Sequence, residues 1–129
     1  MNPELKISEG VAVLAVSGEM DAYTAPQVRD ELAEALQGDV RWVLADLTQT
    51  EFIDSLFLGI LVGVGKRAGE KDGDIVIVCD RAHLLRVFDV SGTRELLNVV
   101  ATREQAEELI AGWKRGCQGE GGAGREEEP

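Results

Sequence analysis

Two short uninterrupted apolar runs, Trp42-Val43-Leu44-Ala45 and Ile75-Val76-Ile77-Val78, constrain this chain more than any other feature. A strand with one face in water alternates apolar and polar residues, whereas a run without alternation suits a strand covered on both faces. Coverage on both faces asks for helices packed against a mostly parallel sheet, and the intervening segments supply them. Ahead of the first run, Val28, Leu32, Ala35 and Leu36 recur at helical spacing, in a segment opening at Thr24 and closing at Gly38. Thr24 and Gln27 have the spacing of a capping box, and Pro26 falls in the first turn, where its missing N–H costs little. Between the runs a second helix is expected from Asp54 or Ser55 to about Ala68, with Asp54 placed to accept first-turn N–H groups.

The remaining segments complete an alternating pattern. Leu5-Lys6-Ile7 and Val11 to Val16 read as strands joined by a turn at Glu9-Gly10, after which Gly18 opens a loop reaching Tyr23. Asp46 and Thr48 close the first apolar run, and Gly69 to Gly73 form a turn before the second. His83 to Asp89 is a short helical stretch with Leu84, Leu85 and Phe88 inward, broken at Ser91-Gly92. Leu96 to Val100 contains the last strand. Thr102 and Gln105 repeat the capping-box spacing ahead of Ala106, Leu109, Ile110 and Trp113, the apolar face of a final helix. The expected order is β-β-α-β-α-β-α-β-α: one α/β domain over residues 1–113, with a mostly parallel central sheet and helices packed on it. Residues 114–129, rich in Gly and Glu, are expected to be a disordered tail.

The inventory of reactive groups argues against catalysis. One histidine, His83, sits among leucines in a predicted helix, where a structural role is the ordinary one. There is no Gly-x-Ser-x-Gly elbow, and Gly59, Gly63 and Gly65 match neither the P-loop nor the dinucleotide fingerprint. Cys79 and Cys117 lie far apart, and no cluster has metal-ligand spacing, so neither a metal nor another cofactor is expected. The net charge of -11 disfavours nucleic acid and anionic membranes as partners, suits a basic partner face, and is equally explained by solubility. Ser55 to Gly65, the longest strongly apolar run without charge, falls short of the about 20 residues a membrane span takes. The reduced cysteines and the absence of an apolar signal core point to the cytoplasm.

One segment stands out: Asp46 to Leu61, which joins a buried strand to a very apolar helix with a single polar pair, Asp54-Ser55, at the junction. In helical register Ser55, Gly59, Val62 and Lys66 share a face, and Gly59 would let another backbone approach closely. Taken alone, these residues are more simply read as a cap at Asp54-Ser55 and a glycine packed on the sheet at Gly59.

The run Phe52-Ile53-Asp54-Ser55-x-x-Leu58-Gly59 resembles the signature of the STAS domain, the sulfate transporter and anti-sigma-factor antagonist family. Gly18-Glu19-Met20-Asp21-x-x-Thr24-Ala25 resembles that family's loop after its second strand, and Val90-Ser91-Gly92-Thr93-x-x-Leu96-Leu97 its approach to the last strand. The similarity extends from about Leu5 to Trp113. It implies an anti-sigma-factor antagonist, not an enzyme. The unphosphorylated form would bind an anti-sigma factor with serine kinase activity and free the sigma factor. Phosphorylation at Ser55 would switch binding off, and a serine phosphatase would restore it. Asp21 and Asp54 correspond to the acidic neighbours of the phosphosite, and Leu56, Phe57 and Gly59 join them in the implied partner-binding surface. The chain departs from the family at Leu56 and Phe57, where Ser or Thr and then Gly are common; at least one of the two is expected in the core. The resemblance also admits an accessory STAS subunit of a lipid-transport complex, bound to an ATPase without phosphorylation. A catalytic α/β domain is the remaining alternative.

Overall fold

The structure is a computed structural model, and it describes residues 3–19 and 23–120. The elements run β1 Glu4–Ser8, β2 Val11–Glu19, α1 Thr24–Gln37, β3 Trp42–Phe52, α2 Ser55–Glu70, β4 Asp74–Val78, α3 Ala82–Ser91, β5 Val99–Val100 and α4 Arg103–Glu120. The sheet has five strands in the order β1-β2-β3-β4-β5; β1 is antiparallel to β2 and the other pairs are parallel. This is the expected element order and fold class.

The uninterrupted runs have the expected cause. Val43, Ala45 and Leu47 of β3 and Ile75 and Ile77 of β4 face a core shared with α1, α2 and α3. Their neighbours Trp42, Leu44, Val76 and Val78 point the other way, into a second core with Ala106 and Ile110 of α4. Successive side chains of a strand point to opposite faces, so helices on both faces leave β3 and β4 no polar side.

Local differences from the sequence reading have identifiable reasons. β3 continues past Asp46 and Thr48 to Phe52 because β2 continues beside it to Glu19. The pairing crosses register shifts after Ala15 and at Gly18, whose φ of 77° is the left-handed geometry a bulge glycine adopts. Thr50, buried in this extension, donates its hydroxyl to the Val16 carbonyl at 2.8 Å. At α1 the helix begins with Thr24 itself, and Tyr23 precedes it as N-cap without a side-chain cap hydrogen bond. At α4 the capping box forms: the Thr102 hydroxyl accepts from the Gln105 N–H at 3.1 Å, and the Gln105 carboxamide accepts from the Thr102 N–H at 3.2 Å.

α4 runs to Glu120, past Trp113. Lys114, in that continuation, lies 5.6 Å from the centre of the Trp42 ring and 3.9 Å from the Glu9 carboxylate. These contacts tie the first residue past Trp113 to β3 and to the turn between β1 and β2.

The candidate site at the N-terminus of α2

Asp54 links β3 to α2 in an extended conformation (φ -106°, ψ -179°), the geometry of an N-cap. Its Oδ1 accepts the Phe57 N–H at 2.9 Å, and its carbonyl accepts the Leu58 N–H at 3.1 Å. Ser55 is therefore the first residue of the helix. It is exposed, and among the described residues its hydroxyl has no hydrogen-bond partner. A hydroxyl there projects beside the free N–H groups and positive dipole end of a 16-residue helix.

Leu56 and Phe57 divide as the helical register requires. Phe57 is fully buried and falls in line with Leu61, Val64 and Ala68, so it roots α2 in the core. Leu56 is 45% exposed. Two further apolar side chains stand exposed near the C-terminal ends of β2 and β3: Tyr23 at 87% and Phe52 at 53%. Leu56 and Phe57 thus have separate roles, one on the surface and one beneath it. Gly59 is exposed, and a Cβ there would meet nothing within 4 Å, so it does not pack against the sheet. Ser55, Gly59 and Lys66 all lie on the exposed side, with Val62 half-buried. Asp21 falls outside the described residues.

Beyond Ser55 the surface continues as a groove of about 320 Å³ between α1 and α2. Ser55, Leu56 and Gly59 form its near end, Ile60, Gly63 and Val64 its floor, and Arg67 its far end; Arg29 and Ala33 contribute from α1. Sequence reading did not single out Arg29, Ala33 or Arg67, and weighed Gly63 only as part of a glycine-rich motif. A signal existed in the spacing, since Leu56, Gly63 and Arg67 fall at i, i+7 and i+11 and Arg29 and Ala33 at i and i+4. Nothing in the spacing shows that the two stripes meet.

Surrounding groups hold the junction in place. The His83 ring Nε2 lies 2.7 Å from the Glu51 carbonyl, and the Arg81 side chain donates to the Thr48 carbonyl at 3.2 Å, tying the start of α3 to the end of β3. His83 is thus a surface tie between elements. Asp46 accepts from the Thr48 N–H and hydroxyl and pairs with Arg103 of α4 at 3.0 Å. Burial pushes the Cys79 thiol above its ordinary pKa, which keeps it protonated and unreactive at neutral pH. Among the described residues no group of three or more His, Cys, Asp or Glu could hold a metal ion, and no helix is long and apolar enough to cross a membrane.

Comparison with known proteins agrees with this architecture. The anti-sigma-B factor antagonist of Bacillus subtilis (strain 168) is 31% identical over 106 residues, covering 81% of this chain and 94% of that protein. An anti-sigma factor antagonist from Mycobacterium paratuberculosis shares the fold with a TM-score of 0.75 at 24% identity, over 85% of this chain and 93% of that one. The Bacillus cell fate determinant SpoIIAA in its phosphorylated form shares it with a TM-score of 0.71 at 22% identity, over 84% and 99%. The STAS domain profile matches residues 2–106, and on this match, the sequence relationship and the shared fold, the chain belongs to the STAS domain family.

Proposed function

We propose that this chain is a cytoplasmic anti-sigma-factor antagonist and not an enzyme. Its unphosphorylated form binds an anti-sigma factor that is also a serine kinase, releasing the sigma factor. Phosphorylation of Ser55 by that kinase switches binding off, and a serine phosphatase reverses it. The observation that carries this reading is the position of Ser55: exposed, first in α2, behind the Asp54 cap and beside the exposed apolar side chain of Leu56. A related chain named as an anti-sigma-B factor antagonist supports the same reading.

The chemistry of such a switch follows from that position. A phosphate adds about -1.5 to -2 charge. The N-terminus of a helix accommodates an anion, because unpaired N–H groups and the helix dipole both favour negative charge. The fold should therefore survive modification. The penalty falls on the interface, where the new charge beside Asp54 must be desolvated when a partner docks.

The test is incubation with the anti-sigma kinases of the host and ATP, phosphosite mapping by mass spectrometry, and binding by Ser55→Ala and Ser55→Asp. Phosphate on Ser55 is expected, with binding kept by Ala and weakened by about tenfold or more by Asp. Melting temperatures of both variants should stay close to that of the parent chain. Absence of phosphate with every kinase, together with binding indifferent to Ser55, overturns the switch and favours a constitutive adaptor, such as a subunit of a lipid-transport ATPase complex.

A further inference from the structure

The groove between α1 and α2 has two properties that the fold of this chain does not require. The first is its glycines. Gly59 and Gly63 sit one turn apart in the middle of α2, both exposed, and a Cβ on either would meet nothing within 4 Å. Gly65 of the same helix is different: a Cβ there would lie 2.8 Å from Ile75 Cγ2, so internal packing explains it. A mid-helix glycine costs about 1 kcal/mol relative to alanine. At Gly59 and Gly63 no contact within the chain offsets that cost, while the missing side chains keep the floor of the groove low for an external backbone.

The second property is charge. The chain carries 24 acidic and 13 basic residues, yet the charged residues lining this groove are two arginines, Arg29 and Arg67, with no carboxylate. Arg29 pairs with its neighbour Asp30 at 3.1 Å, but both are exposed, and such a pair holds its partner weakly. Between the arginines the surface is apolar, from Leu56 at 45% exposure to the nearly buried Ile60 and Val64. From Leu56 to Arg67 a helix rises roughly 16 Å at 1.5 Å per residue, which is three turns.

We infer that this groove receives an acidic amphipathic helix of the anti-sigma partner, its apolar face over Gly59 and Gly63 and its carboxylates against Arg29 and Arg67. The inference rests on the proposed antagonist function and adds the chemistry of the contact. It also gives the switch an electrostatic cause. Ser55 lines the near end of the groove, so a phosphate there adds negative charge to the surface that the carboxylates of the incoming helix approach.

Binding of the host anti-sigma kinase to the full chain tests this, using Gly63→Leu, Arg29→Glu, Arg67→Glu and Ser55→Asp, with a melting curve for each. Gly63→Leu fills the floor and should weaken binding about tenfold or more. Each charge reversal should weaken it about three- to tenfold in low salt and less in high salt, because exposed charges are screened. The reversals lie on the surface and should leave the melting temperature unchanged, which keeps the inference testable if Gly63→Leu disturbs α2. Replacing the facing carboxylate of the partner helix by Lys should restore binding to Arg67→Glu. If Ser55→Asp weakens binding while all three groove variants bind like the parent chain, the groove is not the contact and the antagonist reading stands. If no anti-sigma kinase of the host binds the parent chain, the antagonist reading falls, and this occupant falls with it.

Discussion

The two ends of the parallel strands use their side chains in opposite ways. At the N-terminal end polar groups turn inward onto backbone carbonyls. The Lys71 ammonium donates to the carbonyls of Leu36 and Gly38, closing the end of α1, and the Arg41 guanidinium donates to the Lys71 carbonyl at 2.9 Å. Trp42 is 7% exposed and lies beneath Arg41 and Lys114, whose charged groups stand 5.2 and 5.6 Å from its ring centre. Gly10, at φ 82°, leaves just enough room for that ring. At the C-terminal end the backbone is held by a few ties, from Asp54, His83 and Arg81, while Tyr23, Phe52 and Leu56 face outward. One end closes the fold and the other presents a surface. Open α/β sheets commonly place their binding surfaces at the C-terminal end, where helices begin and their N–H groups are unpaired.

Three substitutions test how sharp that division is. The largest effect is expected from Phe57→Ala. Although it neighbours the presenting surface in sequence, Phe57 is fully buried, and its truncation should cost about 3–5 kcal/mol in urea unfolding. A cost below about 1 kcal/mol, the range of a surface change, would break the distinction between floor and surface at that end. Next is Gly73→Ala at the closed end. A Cβ there would stand 1.6 Å from the Arg41 carbonyl oxygen, which also accepts the Asp74 N–H, so the start of β4 must move. A loss of about 3 kcal/mol is expected, with partner binding by the folded fraction unchanged. The smallest effect on stability belongs to Leu56→Ala, expected within about 0.5 kcal/mol of the parent, while affinity for the proposed anti-sigma partner should fall severalfold. Equal loss of stability and affinity in that variant would mean that Leu56 supports the fold rather than the surface.

Much of the architecture was legible because periodicity reports burial within one element. The unbroken runs at Trp42–Ala45 and Ile75–Val78 announced strands covered on both faces, and the structure places α1, α2 and α3 on one face and α4 on the other. The Asp54 cap and the Thr102–Gln105 box were visible because capping is local, confined to one turn. The same spacing at Thr24 and Gln27 misled, because α1 starts one residue earlier than a capping box needs, which makes Thr24 the first helical residue rather than the cap. The strand extension to Phe52 was hidden for a different reason: Thr48 and Gln49 look like a loop until β2 is there to pair with them.

By itself, then, the sequence determined the class of fold, the order of the elements and the residue at the head of α2, since these depend on patterns that repeat within a single helix or strand. Only the tertiary structure decided what surrounds Ser55. Arg29 and Arg67 are 38 positions apart, and each alone is an exposed arginine on a helix. They line one groove because α1 and α2 pack side by side on the same face of the sheet, and that packing is set by core residues lying between the two exposed stripes. Which exposed residues share a groove is a property of two elements together, and no periodicity within either one encodes it.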